Sequence, residues 1–376
     1  MINWDASPHL DRFDPLPNEK TMKAVVTASN GGFEQLQCRV VKRPQPGDEE
    51  VLIRVLAAGM NNTEINTRVG WYSDSMTQST SAVASSQVQQ KEIPIDGGWN
   101  EITPFPFVQG TDCCGEVIQL GSNAESKLLS KQVLVRSCMR PLGFSSMENL
   151  WMGSDFDGAF AQYVKVPQSE VFEVKCDWSA AELATIPCAY GTAENMIHRA
   201  GIQSGEKVLI TGASGGVGSA AVQLAKLRKA QIIAVVAPEK QQKISDLGAE
   251  QTIARDENVL EVLREESVDV VIDLVAGDSF TALLKVLKRG GRYVSAGAIG
   301  GPVVSFDTRT FYLKDLQLIG CTAWDEGVFP SLIAYLENKQ LRPLLAQTFP
   351  LEQIVEAQQE FLLKKHVGNF VLIPPN

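Results

Sequence analysis

Short segments of alternating apolar and polar residues follow one another through the first part of the chain. Clusters of glycine and proline separate these segments, and this combination predicts β-strands joined by turns. The predicted strands are Met22–Thr27, Cys38–Arg43, Val51–Ala58, Cys114–Leu120, Gln132–Ser137 and Phe160–Val166. We therefore expect a β-rich unit over residues 22–165, preceded by a polar, proline-containing leader, residues 1–21, that is flexible.

From about Ala180 onward, apolar strands alternate with amphipathic helices. The predicted strands are Val208–Thr211, Ile232–Val236, Asp269–Leu274 and Arg292–Ala296. The predicted helices are Ser219–Leu227, Glu239–Leu247, Val259–Glu266 and Phe280–Leu287. Such alternation is typical of a parallel sheet covered by helices on both faces. We expect Gly290-Gly291 to end the last of these helices and to open the turn into the next strand.

The pattern closes with two helices and a strand, predicted at Val328–Asn338, Leu351–Leu363 and Asn369–Ile373. Two long segments, Ser73–Thr103 and Met139–Asp157, show little periodicity. Most loops run about 4–6 residues, and much longer ones are usually functional or disordered. For Ser73–Thr103 we expect a lid or an oligomer contact.

The most informative segment is Val208–Gly218, which predicts a buried strand, a tight glycine turn and the start of a helix. A helix N-terminus with exposed backbone N–H groups is suited to binding a pyrophosphate. Gly212 is expected to form the tight turn, Gly215 to admit the phosphate oxygens, and Gly218 to let the helix pack on the strand. The expected phosphate-binding residues are Ala213, Ser214, Gly215, Gly216, Val217 and Gly218. The alternative is an ordinary strand-to-helix turn without a ligand.

The end of the next predicted strand bears on which dinucleotide binds. NAD sites usually place an acidic residue about 20 residues after the glycine turn, to hold the ribose hydroxyls. Val236 occupies that position, and Lys240 beyond it could meet a 2′-phosphate. These residues favour NADPH over NADH, although Lys240 could also be a solvated charge on a helix face. Ala276 and Gly297 follow the carboxyl ends of later strands, where such ligands bind.

Composition narrows the classes of partner. The 376 residues are enough for two domains, and the net charge of −10 disfavours nucleic acid or an anionic membrane as a partner. The sequence contains no apolar run of membrane-spanning length. Seven cysteines without paired spacing suit a reducing compartment, so we expect a cytoplasmic protein.

Several motifs, taken together and in order, resemble the medium-chain dehydrogenase/reductase superfamily. They are Met22–Val26, Ala58–Tyr72, Phe107–Val117, Gly158–Val164 and Lys365–Leu372. The resemblance implies an α/β protein with a GroES-like catalytic domain at residues 22–165, completed by residues 327–376. This domain would enclose a Rossmann domain at residues 166–326, with a small-molecule substrate in the cleft and a homodimer or homotetramer as the assembly.

Zinc alcohol dehydrogenases of this superfamily hold catalytic zinc through two cysteines and a histidine. The matching positions here are Asn61, Thr111 and Cys188, so one of the three usual ligand types remains. Catalytic zinc normally needs about three protein ligands. The lobe that carries structural zinc in those enzymes retains Cys138 alone. We therefore expect no zinc and interpret Cys188 as a buried thiol.

The resemblance also suggests active-site residues. Asn61 would donate a hydrogen bond to the substrate oxygen or the cofactor ribose, or would merely cap a local turn. Tyr72 matches the catalytic tyrosine of enoyl-thioester reductases, or it anchors the segment that follows. Residues expected near the cofactor by resemblance are Thr192, Arg255, Ala298 and Ile299.

These observations favour a zinc-independent, NADPH-dependent oxidoreductase that transfers hydride to a quinone or an α,β-unsaturated carbonyl compound. Such acceptors delocalise the arriving charge onto oxygen, where hydrogen-bond donors can stabilise it. Three alternatives remain open: an enoyl-thioester reductase, a zinc-type alcohol dehydrogenase with divergent ligands, and a nucleotide-binding protein without robust catalysis.

Overall fold

The computed structural model describes residues 10–86, 98, 100 and 102–376 of the chain. Two units make up this part of the chain. One is built mainly from antiparallel strands, and the other is a parallel sheet flanked by helices. Both units that the sequence pattern predicts are therefore present.

The β-rich unit begins with strands that follow one another along the chain. Their bounds are β1 Thr21–Thr27, β2 Leu36–Lys42, β3 Glu50–Met60, β4 Phe107–Val108, β5 Cys114–Leu120, β6 Gln132–Val135, β7 Cys138–Met139, β8 Leu150–Trp151, β9 Tyr163–Pro167 and β10 Val171–Glu173. The helices of this part are α1 Asn62–Arg68, α2 Thr80–Ser86 and α3 Ala180–Leu183. Two strands from the end of the chain, β17 Leu345–Pro350 and β18 Asn369–Ile373, extend the main sheet in the order β10-β6-β5-β3-β18-β17. The C-terminal segment thus completes the unit that the N-terminal segment starts.

The parallel sheet runs in the order β13-β12-β11-β14-β15-β16. Its strands are β11 Lys207–Ile210, β12 Gln231–Val236, β13 Gln251–Ala254, β14 Val268–Asp273, β15 Leu287–Ser295 and β16 Gln317–Gly320. The remaining helices are α4 Pro187–Ala200, α5 Gly216–Leu227, α6 Gln241–Leu247, α7 Val259–Leu263, α8 Phe280–Val286, α9 Thr308–Leu313, α10 Val328–Glu337 and α11 Ile354–Leu362. The short strands β13, β16 and β17 have no counterpart in the predicted pattern.

Alternation along β11 shows how the sheet buries both faces. Val208 and Ile210 join a core cluster that includes α4 and α5, whereas Leu209 joins a separate cluster with α7 and α8. Successive side chains of a strand point to opposite faces, so one apolar run supplies both cores. The cluster around α4 also contains Trp151 from the β-rich unit, and the two units therefore share a buried junction.

Two predicted boundaries differ from the structure. The boundary after residue 165 falls inside β9, and β10 pairs with β6 as far as Glu173, so the β-rich sheet extends further. Gly290-Gly291 does not end a helix, because α8 ends at Val286 and the glycine pair lies within β15. Gly290 has a φ of +73°, and the register against β14 shifts there, so the pair forms an irregularity inside the strand.

Parts of the predicted leader and of the predicted irregular insertion are packed. Leu10–Phe13 forms a 3-10 helix. Phe13 is buried because its ring packs among apolar residues of the core. Helix α2 lies inside the predicted irregular segment and buries Val83. Residues 1–9 of the leader, and residues 87–97, 99 and 101 of the insertion, lie outside the described residues.

Among the described helices, none has both the length and the apolar character needed to cross a lipid bilayer.

Candidate active site

The glycine turn after β11 has the backbone geometry expected of it. Gly212 has a φ of +58°, and Gly215 is the N-cap of α5, which begins at Gly216 rather than at the predicted Ser219. A Cβ on Gly218 would lie 2.3 Å from the carbonyl oxygen of Gly212, so the helix can approach the strand only with glycine there. A Cβ on Gly215 would meet nothing closer than 3.6 Å, so the space over this residue is open to a ligand.

A cavity of about 370 Å³ opens beside this turn and lies between the two units. Ligand pockets typically range from about 300 to 1,000 Å³. Ten of the predicted site residues line it together: Asn61, Tyr72, Thr192, Gly215, Gly216, Val217, Gly218, Gly297, Ala298 and Ile299. The structure thus brings the two candidate catalytic residues next to the glycine turn.

Five predicted cofactor residues lie outside that lining. Ala213 is fully buried in the turn, and Ser214 contacts a lysine described below. Ala276 follows β14, and its backbone N–H donates to Asp273 at 3.1 Å. Arg255 is exposed just after β13.

Two lysines from different parts of the chain meet at the turn. Lys240 Nζ lies 3.5 Å from Ser214 Oγ and donates a hydrogen bond to the backbone carbonyl oxygen of Lys364. Lys364 Nζ donates to Asn62 Oδ1 at 2.7 Å. Burial, followed by the charge of Lys240, lowers the pKa of Lys364 to about 7. Because the charge of Lys240 acts on Lys364, the two cations lie within electrostatic range of each other, and such a pair favours an anionic ligand.

Sequence reasoning missed Lys364. It lies in a run of exposed-type residues after α11, 124 positions from Lys240, so no local pattern marks it. Burial lowers the pKa of Lys240, the carboxylate of Glu239 opposes that shift, and the charge of Arg255 adds to it, so Arg255 belongs to the same electrostatic environment.

Asn369 provides a further sign of a ligand at the turn. Its side chain is 3% exposed, and its Nδ2 has no hydrogen-bond partner among the described residues. Its Oδ1 lies so close to Gly216 that a Cβ there would be 1.9 Å away. A buried amide donor without a partner costs free energy unless a ligand or water satisfies it. Open space at Gly215 and this donor together fit a dinucleotide pyrophosphate, and the two cations fit a further anionic group of the same ligand.

Asn61 is held by a buried carboxylate. Its Nδ2 donates to Asp112 Oδ2 at 2.7 Å, and the other oxygen of Asp112 accepts from the backbone N–H of Cys188 at 2.5 Å. Burial raises the pKa of Asp112 to about 7, despite these two hydrogen bonds. Burial also raises the pKa of the Cys188 thiol well above its usual value, which keeps the thiol protonated. This fits the interpretation of Cys188 as a buried thiol.

A second buried carboxylate fixes Thr111. Glu64 accepts hydrogen bonds from the backbone N–H and the hydroxyl of Thr111, at 3.0 Å and 2.5 Å, and from the backbone N–H of Asn61 at 2.7 Å. Burial raises the pKa of Glu64.

The three positions that match zinc ligands thus carry an amide, a hydroxyl engaged with a carboxylate, and a single cysteine thiol. This donor set does not fit zinc, which takes thiolate, imidazole or carboxylate. Within residues 10–86, 98, 100 and 102–376, no group of three His, Cys, Asp or Glu side chains is arranged to hold a metal ion.

Tyr72 presents a phenol to the cavity. Its hydroxyl is hydrogen-bonded to Asn66 and Thr63, and burial raises its pKa, so the phenol stays protonated at neutral pH. The ring lies edge-on to Trp71, with 5.5 Å between ring centroids. Trp71 lines the same cavity and donates a hydrogen bond from Nε1 to the carbonyl oxygen of Gln78 at 3.0 Å. This hydrogen bond holds the indole in place as part of the cavity wall.

The first part of the predicted lid contacts the other unit. The backbone N–H of Thr80 donates to the carbonyl oxygen of Ile299 at 3.3 Å. Ile299 lines the cavity, so the start of α2 touches the loop that forms one side of it.

Three further residues with reactive side chains lie in structural surroundings. His198 is exposed on α4, with Nε2 3.7 Å from Asp325. Cys113 and Cys114 are both fully buried and lie in different core clusters, so these adjacent residues pack on opposite faces of the strand.

Comparison with known proteins agrees with this architecture. Residues 47–176 match the family model for the alcohol dehydrogenase GroES-like domain, and residues 216–338 match the model for zinc-binding dehydrogenase. A crystal structure assigned as an alcohol dehydrogenase from Sinorhizobium meliloti 1021 is 39% identical, with a TM-score of 0.84. The match covers 96% of this chain and 98% of that one.

Two curated relatives are similar over almost their whole length. Quinone oxidoreductase from Homo sapiens is 27% identical over 92% of this chain and 95% of its own. Acryloyl-coenzyme A reductase from Metallosphaera sedula is 27% identical over 93% of this chain and 99% of its own. These matches confirm the predicted α/β class, with GroES-like and Rossmann units. The chain belongs to the medium-chain dehydrogenase/reductase superfamily of nicotinamide-dependent oxidoreductases.

Proposed function

We propose that this oxidoreductase uses NADPH to reduce quinones or α,β-unsaturated carbonyl compounds without zinc. The observation that carries the proposal is the arrangement of Asn61 and Tyr72 in one cavity with the glycine turn. Two of the three positions that match zinc ligands, Asn61 and Thr111, have side chains that donate hydrogen bonds to the buried carboxylates of Asp112 and Glu64.

The choice of NADPH rests on charge. Lys240 and Lys364 meet beside Ser214, and Arg255 contributes to the same positive potential. Val236 ends β12 where NAD sites usually carry an acidic residue, so no carboxylate at that position opposes a 2′-phosphate. We therefore assign the 2′-phosphate to the neighbourhood of Lys240, Lys364 and Arg255.

The residues that line the cavity have separate roles in the proposed reaction. When bound, the reduced nicotinamide supplies the hydride. As the acceptor gains negative charge on its carbonyl oxygen, the second N–H of the Asn61 amide donates a hydrogen bond to it. Thr192, Ala298 and Ile299 form the wall against which the nicotinamide lies. Trp71 limits the width of the acceptor.

Tyr72 favours a second candidate function, the reduction of enoyl thioesters. An enolate formed by hydride addition needs a proton at its α-carbon, and a protonated phenol in the cavity can supply it. The acryloyl-coenzyme A reductase relative acts on such a thioester by its name, which supports this candidate.

A homodimer is the assembly we propose, with a homotetramer as the larger alternative. Strand β16 ends the parallel sheet in the observed strand order. Exposed apolar side chains lie on and before it: Val303, Phe306, Tyr312, Leu313 and Leu318. An edge strand with an exposed apolar surface readily pairs with a second copy.

The cysteines form no disulfides, which supports a reducing, cytoplasmic location.

Steady-state kinetics on chelator-treated protein tests the proposal. NADPH should be oxidised when a simple quinone or an enone such as methyl vinyl ketone is added, and the rate should not rise with added zinc. Oxidation of ethanol that appears only with zinc would instead support the zinc-type alcohol dehydrogenase. Saturable NADPH binding with no turnover of any acceptor would support a nucleotide-binding protein.

A further inference from the structure

We propose that Asp112 is a positioning residue for this reaction, which orients the Asn61 amide and ties it to the helix that forms the cofactor wall. The inference rests on the proposed function, because it assigns Asn61 the role of hydrogen-bond donor to the acceptor. Asp112 is fully buried behind the cavity wall, so it acts through its partners and not on the substrate.

The chemistry of a carboxylate explains the orientation. An amide presents a donor edge and an acceptor edge, and the two can exchange by a flip about the last side-chain bond. Both oxygens of Asp112 accept hydrogen bonds, from Asn61 and from the backbone N–H of Cys188, so the flipped Asn61 would place its own oxygen against the acceptor Oδ2. The 2.7 Å contact from Nδ2, together with the place of Asn61 as the N-cap of α1, selects the state in which the other N–H of the amide is available to the cavity.

The second oxygen of Asp112 links Asn61 to α4. Cys188 is the second residue of α4, and its backbone N–H is one of those that have no partner within the helix. The positive end of the helix dipole also favours a carboxylate there. Thr192 follows one turn later on α4 and lines the cavity. One carboxylate thus sets the position of the acceptor-binding amide relative to the nicotinamide wall.

Space around Asp112 leaves little freedom. A Cβ on Gly59 would lie 2.5 Å from Asp112 Oδ2 and 2.3 Å from the carbonyl oxygen of Ala184. The longer side chain of Asp112→Glu would not fit this space without moving β3. Asp112→Asn keeps the shape and changes the chemistry, because its amide can donate to Asn61 and so permits the flipped state.

The decisive experiment is a double-mutant cycle on the full chain with NADPH and a simple enone. We expect Asp112→Asn to lower kcat about 10- to 100-fold, the loss that is typical when a partner that orients a metal ligand is removed. The Kd for NADPH should change less than about twofold, since the phosphate contacts are elsewhere. The double variant Asn61→Ala, Asp112→Asn should be no slower than Asn61→Ala alone, because Asp112 has nothing left to orient.

Thr27→Val is the matched control for lost buried hydrogen bonding. Thr27 Oγ1 donates to Gln109 Oε1 at 2.9 Å in the core of the same unit, away from the cavity. It should lower the melting temperature and leave kcat unchanged. An unchanged kcat in Asp112→Asn, or effects of the two substitutions that multiply in the double variant, would overturn the inference.

An NMR readout separates this inference from the proposed function. The side-chain amide protons of Asn61, identified by their loss in Asn61→Ala, should exchange with solvent at least about tenfold faster in Asp112→Asn. Equal exchange rates would overturn the positioning role even if the enzyme reduces enones. If exchange is faster in Asp112→Asn but the unmodified protein reduces neither quinones nor enones, the contact between Asp112 and Asn61 stands and the proposed function is rejected.

Discussion

Lys240 donates a hydrogen bond to the backbone carbonyl oxygen of Lys364, and this contact joins the end of the β-rich unit to the glycine turn of the parallel sheet. The two residues come from different units, so a phosphate bound between them would contact both.

Removing one of these cations should change the choice of cofactor. Lys364→Met is expected to weaken NADPH binding about 10- to 150-fold, because a hydrogen bond to a charged group is worth about 1.5–3 kcal/mol. Binding of NADH, which lacks the 2′-phosphate, should change little. Fluorescence titration with both cofactors measures this. Lys365→Met, at the exposed neighbouring residue, is the control, and an equal loss for NADPH and NADH would contradict the assignment.

The same lysine makes cofactor binding depend on pH. Burial and Lys240 lower the pKa of Lys364 to about 7, so at pH 8 its amine is mostly neutral before NADPH binds. A nearby phosphate dianion raises that pKa, so binding should take up a proton, and the affinity should fall as the pH rises from about 7 to 9. His366, whose pKa is lowered to about 4 mainly by burial, stays neutral over this range.

Calorimetry of NADPH binding in buffers of different ionisation enthalpy tests the proton uptake. The observed enthalpy at pH 8 should vary with the buffer for the unmodified protein and vary much less for Lys364→Met. Buffer-independent enthalpies for the unmodified protein would show that Lys364 does not change its charge on binding.

Tyr72→Phe should distinguish the two candidate reactions. A general acid typically contributes about 10²- to 10⁴-fold, so turnover of an enoyl thioester should fall at least about 100-fold if Tyr72 protonates the α-carbon. Quinone reduction should fall less than about threefold, because a quinol oxygen can take its proton from water. Kinetics with crotonyl thioester and benzoquinone on the same preparation measure the contrast. Equal small effects would leave Tyr72 as an anchor for the segment that follows it.

A charge on the edge of the parallel sheet should disrupt the dimer. Leu318 lies in β16 and is 42% exposed, so Leu318→Lys would bury a charge if two copies pair there. We expect analytical ultracentrifugation to show a dimer for the unmodified protein and a monomer for the variant. Leu129→Lys, at a leucine 46% exposed in the β-rich unit, should remain dimeric. A variant at Leu318 that sediments as a dimer would place the interface elsewhere.

The sequence pattern predicted features set by local spacing and missed those set by distant contacts. The glycine turn and strands such as β5 and β18 agree with prediction, because Gly residues and apolar alternation are local signals. Gly290-Gly291 was misplaced because a glycine pair is as compatible with a bulge within a strand as with a helix end. Strand β16 lacks a buried face, so it had no apolar pattern to recognise.

The candidate site shows the same division. Asn61 and Tyr72 were predicted from the resemblance of one contiguous segment, and they line one cavity. The roles of Lys364 and Asp112 depend on pairings across 124 and 51 residues, with Lys240 and Asn61 respectively. Neither pairing can be recognised from the neighbouring residues in the sequence. A lysine near a helix end and an aspartate before a strand are ordinary surface and turn residues.

Deuterium transfer tests the central claim most directly. The chelator-treated protein is incubated with NADPH that carries deuterium at the transferable C4 position, together with methyl vinyl ketone, and the product is examined by mass spectrometry and NMR. We expect one deuterium at the β-carbon of the saturated ketone, without added metal and at a rate strongly reduced in Asn61→Ala. A product without deuterium at the β-carbon, or transfer that requires zinc, would contradict it.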